Sequence, residues 1–400
     1  METHPEVFRF DPTGRRLQEA NARLRSVGPA ARVDLSGGVT AWSVTRYDLL
    51  RRLAEDVRVS RDARRHWPAL AGVPADWPLA PFLLSPTVLN AYGADHRRLR
   101  SVMEEAFTPP RLAALGERVR RQVDAALDAL EAHGSGRVVD LRRAYADVIA
   151  AGTVCDLLGV PEEERRRARQ AIGHLLEPSA DPAAAAAGRS EAMGFLTALL
   201  AAKRDANGDD MATTLVRAAH LTDEERLLAL VVTIAGGVPS ASGLIGNAVL
   251  DVLRHTRQRL AVTEGTTPWS AVVEETLRQD APVQHMPLRY ALEDIDLGDG
   301  VVIRRGEAIL LGFGAGGRDP RVHGETAATF DVDRPDKEHL AFGHGVHRCI
   351  GESPARLEAA IALPALFARF PDLELAEPAD ALEPLPTPVF NAKARVPVRL

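Results

Sequence analysis

Cys349 lies in the run Phe342, Gly343, His344, Gly345, Val346, His347, Arg348, Cys349, Ile350, Gly351, a glycine-punctuated turn with cationic neighbours. Glycines let the backbone take positive φ and approach a flat cofactor, while exposed amides and nearby cations favour an ionised sulfur. A thiolate placed in this way can ligate a metal. Two other readings compete. One is a zinc site on His344, His347 and Cys349, although no CxxC lies nearby and structural zinc usually takes four ligands. The other is an inert buried thiol, which is how Cys155 is read, in the run Val154, Cys155, Asp156, Leu157, Leu158. Two cysteines cannot make a disulfide framework in a chain of 400 residues, so a reducing compartment is expected.

A second group is His96 and Arg100, four apart and so on one helical face, where two aligned donors can hold carboxylates or simply form a solvated basic surface. A third is Glu275 with Arg278, whose spacing allows an ion pair within one helix turn. Glu117 with Arg120 and Glu162 with Arg165 have the same spacing, so spacing alone selects none of them.

The elements that must position these residues are mostly helical. Apolar periodicity predicts helices over 94–106, 111–132, 141–158, 162–176, 191–203, 222–259, 268–278 and 353–370. Residues 183–187, all alanine, read as a helix start or a surface connection. Val301 to Ile303 and Ala308 to Leu311 read as a hairpin, and 390–400 alternates like a terminal strand. The fold class is mainly α with a minor β-sheet region, and with no linker or repeat the chain reads as one domain, 1–400.

A net charge of −6 with interspersed signs indicates no polyanion partner, hence no nucleic acid. The N-terminus has no apolar leader. Leu227 to Leu250 carries no charge and is long enough to span a bilayer. Gly236, Gly237, Pro239, Ser240, Ser242 and Gly243 at its centre, with a capping box at Thr222 and Glu225, mark it instead as a buried helix. No membrane association is expected, and the protein reads as cytoplasmic.

The pattern F-x-x-G-x-H-x-C-x-G resembles the haem-thiolate signature of the cytochromes P450, and the order of elements matches that family over nearly the whole chain. The resemblance implies haem b with Cys349 as axial iron ligand, in the setting of Phe342 and Gly351. It also implies that His96, Arg100, Arg289 and His347 hold the haem propionates, and that Glu275, Arg278 and Arg334 form a buried structural network. It further implies electrons from NAD(P)H through a ferredoxin and ferredoxin reductase, or from a flavoprotein. Arg97, Arg98 and Arg348 are candidates for a basic docking face.

The long helix departs from the family. Where Ala/Gly-Gly-x-Asp/Glu-Thr is usual, this chain has Gly236, Gly237, Val238, Pro239, Ser240. Proline replaces the proton-relay acid, serine keeps the hydroxyl, and a kink with a free Ala235 carbonyl is expected. The missing acid favours oxidative coupling or cyclisation of an electron-rich aromatic secondary metabolite, such as an indole, phenol or aryl diketopiperazine. The alternatives are conventional hydroxylation of a natural product and a non-catalytic haem sensor. Candidate contacts to a small-molecule aromatic substrate are Trp67, Trp77, Phe82, Gln284, His285, Met286 and Phe390.

Overall fold

The computed structural model describes residues 7–400 except 75, 76, 135 and 178. Helices form where the apolar period predicts them: α1 (Gly93–Glu104), α2 (Pro109–Glu131), α3 (Asp147–Leu158), α4 (Arg165–Leu176), α5 (Pro182–Lys203), α6 (Asp223–Arg254), α7 (Trp269–Gln279) and α8 (Glu352–Arg369). The alanine run belongs to α5. Asp181 caps that helix by accepting from the Ala183 N–H at 3.2 Å, and Pro182 fills the first helical position, where no N–H is needed. The span expected over 222–259 divides, because α6 ends at Arg254 and a separate short helix covers Thr256–Thr263.

The central helix α6 starts at the expected capping box. The Thr222 hydroxyl accepts from the Glu225 N–H at 3.1 Å, and the Thr222 N–H donates to the Glu225 carboxylate at 2.8 Å. Among the described residues it is the one helix long and apolar enough to cross a membrane. Its second half, Ala241 to Val252, is nevertheless buried throughout by protein. Leu244, Ile245 and Val249 pack with Leu127 and Leu130 of α2, Ile149 of α3 and Leu363 and Leu366 of α8. Each such side chain contributes about 1.5–3 kcal/mol through burial.

The sheet is larger than the sequence suggested. Strands β1 (Phe8–Arg9), β2 (Ala31–Asp34), β3 (Thr40–Val44), β4 (Val59–Ser60), β5 (Met286–Ala291) and β6 (Ala308–Leu311) assemble in the order β1, β2, β3, β6, β5, β4. The expected hairpin is not formed. Val301–Ile303 pairs with Ile295–Gly298, whereas β6 lies parallel to β3 and antiparallel to β5. At the C-terminus only Pro397–Arg399 is a strand. The partners of β6 and of Pro397–Arg399 are distant in sequence, which local alternation cannot reveal, whereas Val301–Ile303 pairs with the segment just before it rather than the one after.

Glu275 and Arg278 of α7 are completely buried and joined by two hydrogen bonds, at 2.7 and 2.8 Å. The guanidinium also donates to the carbonyls of Gly317, Ala327 and Thr329, and Arg334 approaches Glu275 at 3.5 Å. The Asp331 N–H donates to the same carboxylate at 2.8 Å. Gly317 is needed here because a Cβ would lie 1.9 Å from the Arg278 carbonyl oxygen. By contrast, Glu117 and Arg120 form an exposed pair at 2.7 Å. The network fastens the segment 317–334, which leads into the cysteine turn, to α7. Arg278→Leu strands the Glu275 carboxylate and is expected to cost about 3–5 kcal/mol in urea unfolding. A loss under about 1 kcal/mol, the range of an exposed pair, would contradict that role.

Candidate active site

The cysteine turn is closed by the Cys349 N–H, which donates to the Phe342 carbonyl at 2.8 Å. Gly343 and Gly345 take φ of 71° and 68°, and a side chain on Gly345 would put its Cβ 2.5 Å from the Ala54 carbonyl oxygen. Gly351 has a negative φ and serves differently, its N–H bonding to the Cys349 sulfur. His344 turns away to Glu55, 2.8 Å distant. Among the described residues no three His, Cys, Asp or Glu side chains are grouped to hold a metal, so the zinc arrangement is not built. The Cys349 side chain is accessible to a water-sized sphere yet ringed by protein. Burial therefore pushes its thiol up, against the Gly351 amide and the charges of Arg100 and Arg348, whereas a coordinated metal ionises a thiol outright. Cys155 is the inert cysteine expected, buried with its thiol pushed up to about 11.

Beside the turn lies a cluster of cations. The rings of His96 and His347 are 4.0 Å apart. Arg100 donates to the Arg348 carbonyl at 2.7 Å, tying α1 to the cysteine turn, and to Glu104 at 2.6 Å. Arg289, on β5, is 3% exposed, and its Nε has no hydrogen-bond partner, nor does the Nε2 of His96. Burial, then the charges of Arg100 and Arg61, holds His96 down to about 4, and burial with Arg61 and Arg289 lowers His347 further. Guanidinium groups close enough to hold two imidazoles neutral, around unpartnered buried donors, form a receptor for an anion. A flat cofactor carrying carboxylates and an iron for Cys349 fits these residues.

Sequence reasoning missed Arg61. It follows β4, and the register of Ser60 opposite Tyr290 carries it beside Arg289.

The centre of α6 adjoins the turn, since Ile350 packs against the cluster containing Val238 and Ala241. Helical geometry is kept through Pro239, so the expected interruption is confined to hydrogen bonding. The Ser240 hydroxyl donates back to the Gly236 carbonyl and, at 3.3 Å, to that of Gly237, a contact that bends helices. Gly236 is exposed and Ser240 half-buried, whereas Gly237 packs on Val154, which a Cβ would approach to 3.0 Å.

The proposed substrate contacts divide. Trp67 and Trp77 belong to the packing around the sheet, with Trp67 stacked on Tyr290 at 5.2 Å and the Trp77 indole N–H donating to the Leu35 carbonyl. Gln284 is fully buried, accepting from Asn21 at 3.0 Å and donating to the Ala281 carbonyl at 2.8 Å. His285 is also fully buried, its Nδ1–H donating to the Pro388 carbonyl at 2.7 Å and its ring against Phe10. These four side chains are occupied by protein, a correction to the expectation that they face a ligand. Phe82, Met286 and Phe390 are half-buried and keep an open side. Of the basic candidates, Arg98 is taken by Glu225 and Arg348 by Glu352, leaving Arg97 exposed.

A thiol in this turn, a carboxylate receptor beside it and a long helix passing over it define a haem-thiolate protein. The cytochrome P450 family model matches residues 269–393. Over 400 residues the chain is 38% identical to the 2-hydroxy-5-methyl-1-naphthoate 7-hydroxylase of Streptomyces carzinostaticus, covering 98% of this chain and 97% of that protein. It is 35% identical to the cytochrome P450 monooxygenase PikC of Streptomyces venezuelae, covering 94% and 89%. The solved structure of CYP154A1 from Streptomyces coelicolor A3(2) superposes with a TM-score of 0.90 at 41% identity, covering 98% of this chain and 100% of that one. The chain belongs to the cytochrome P450 family and is an oxidoreductase of the monooxygenase class, using haem b and electrons from NAD(P)H passed through redox partners.

Burial pushes His285 down to about 4, from about 6.5 in an unfolded chain. Between these values the unfolded form binds the extra proton, so stability rises with pH through the window and is lost as pH falls from about 6.5 towards 4. The difference amounts to about 3 kcal/mol. His285→Asn, which keeps a donor near the Pro388 carbonyl without titrating, should flatten that part of the stability profile in urea unfolding across pH. An unchanged slope would show that His285 does not titrate in this way.

Proposed function

We propose that this enzyme hydroxylates an aromatic or other rigid natural product in the cytoplasm, and that residues 1–400 work as one domain. The observation that carries this reading is the near full-length relation to a naphthoate hydroxylase, joined to a serine hydroxyl kept at the half-open turn of α6. Pro239 alone suggested coupling. Hydroxylation is better supported, because relatives of this chain are named a naphthoate hydroxylase, a vitamin D(3) 25-hydroxylase and a P450 monooxygenase, and Ser240 already holds its proton on the Gly236 carbonyl, from which rotation can present it to a water or a substrate group.

In this reading Cys349 would hold the haem iron through its sulfur, and His96, Arg100, Arg289 and His347 would bind the haem propionates through charge-assisted hydrogen bonds. Haem bound there supplies the iron at which dioxygen is activated, with electron density pushed from the thiolate. Phe342, beneath the Arg356 guanidinium at 4.6 Å, and the Gly351 amide fix the sulfur's surroundings. Gly236 keeps a side chain off the open face beside Ser240, Gly237 lets the helix pack closely on Val154, and Pro239 withholds an N–H from Ala235. Phe82, Met286 and Phe390 offer apolar contact to a flat substrate. Arg97, with Arg100 and the Arg348 backbone behind it, suits an acidic ferredoxin reduced by its own reductase, with a flavoprotein donor as the other possibility.

Turnover under labelled dioxygen tests the reaction. One labelled oxygen in a monomeric product is expected, and a dominant coupled or cyclised product without label would reverse the assignment. Cys349→Ala should abolish the thiolate-type spectrum of the reduced carbon monoxide complex, since no other thiol lies in the turn. Persistence of that spectrum would remove Cys349 as ligand.

A further inference from the structure

Arg61 is 2% exposed, as deeply buried as Arg289, yet its bonding is meagre: Nη2 donates to the Pro287 carbonyl at 3.3 Å and Nε has no partner. Neighbouring carboxylates are committed elsewhere. Asp62 caps its own short helix and faces Arg65, at 3.3 Å, while Glu104 is half-exposed and bonded to Arg100. Tyr290 is the remaining polar neighbour, and its hydroxyl is also buried without a partner. Arg61, Arg100 and Arg289 thus converge with His96 and His347 on one place, with a single carboxylate among them, at the outer edge. A buried guanidinium persists when an anion supplies the missing charge and acceptors.

We propose that Arg61 is a fifth anion-binding residue of the haem site, donating to a propionate from the sheet and so positioning the cofactor. The inference rests on the haem assignment above. A second carboxylate explains the number of donors. Arg100 is already shared with Glu104 and the Arg348 carbonyl, so a further guanidinium just after β4 adds donors that are not committed to protein. Arg61 also leans on His347, two residues before the ligand, so its charge reaches the iron's surroundings as well as the cofactor's edge.

The holoenzyme serves as the test, with Arg61→Met, Arg61→Lys and, as references, His96→Ala and Arg100→Ala. Haem transfer to apomyoglobin should be at least tenfold faster for Arg61→Met, and the iron's reduction potential should move to more negative values as a positive charge is lost. Arg61→Lys should recover most of both. Reconstitution with haem dimethyl ester, which has no propionate charge, should make wild type and Arg61→Met alike. If Arg61→Met lowers the melting temperature but leaves transfer and potential unchanged, or if its effect persists with the ester, Arg61 is a sheet-edge residue and the inference fails. If His96→Ala and Arg100→Ala speed release while Arg61→Met does not, this inference alone falls. If none of the three does, the propionate assignment falls with it.

Discussion

A carboxylate and a guanidinium with no exposure at all, Glu275 and Arg278, are the constraint on which the rest depends. Removing two charges from water is costly, and only complete bonding compensates. The completion comes from backbone: three carbonyls from the segment 317–329 accept from Arg278, and the Asp331 N–H donates to Glu275. A chain segment whose one regular piece is the short helix Pro320–His323 is thereby given one path. That path ends at Phe342, whose carbonyl receives the Cys349 N–H. The sulfur's position is thus inherited from an ion pair on another helix, with α1 adding a second tie through Arg100 and the Arg348 carbonyl.

How much of this was legible depended on how local the determinants were. The cysteine turn is written in ten consecutive residues, and its glycines are required where the backbone meets Ala54. His96 and Arg100 share a face because a helix turn dictates it. Glu275 and Arg278 were separable from Glu117 and Arg120 only by their place in the order of elements, and the structure shows the physical difference as complete burial against exposure. Arg61 was invisible because its significance comes from strand register with a segment 226 residues away. The same distance effect hid the partners of β6, which pairs with β3 and β5 rather than with the strand just before it.

Four of the seven substrate candidates are taken up by protein for another reason. An amide or an aromatic ring reveals that a partner is wanted, not whether protein supplies it. Gln284 finds Asn21 and the Ala281 carbonyl, His285 finds the Pro388 carbonyl, and Trp67 finds Tyr290. The long helix was read correctly as a core element because its polar centre and its cap are local features. Pro239 suggested a broken helix, but a residue that lacks only an N–H leaves the surrounding turns free to remain helical, and the serine after it bonds backwards.

The central helix is held unequally along its length. Beyond Ser240 every residue to Val252 is enclosed, and Asn247 is pinned to the carbonyls of Asp280 and Asn391 while Asp251 receives the Thr276 hydroxyl. Before Pro239 one side stands open. Its N-terminal end is fastened separately, Glu225 to Arg98 at 3.1 Å and Arg226 to the carbonyls of Leu215 and Ala218 at 3.0 and 2.9 Å. Mechanically the helix is a beam supported at both ends, and the backbone tie missing at Pro239 falls between the two supports, next to the Ser240 hydroxyl.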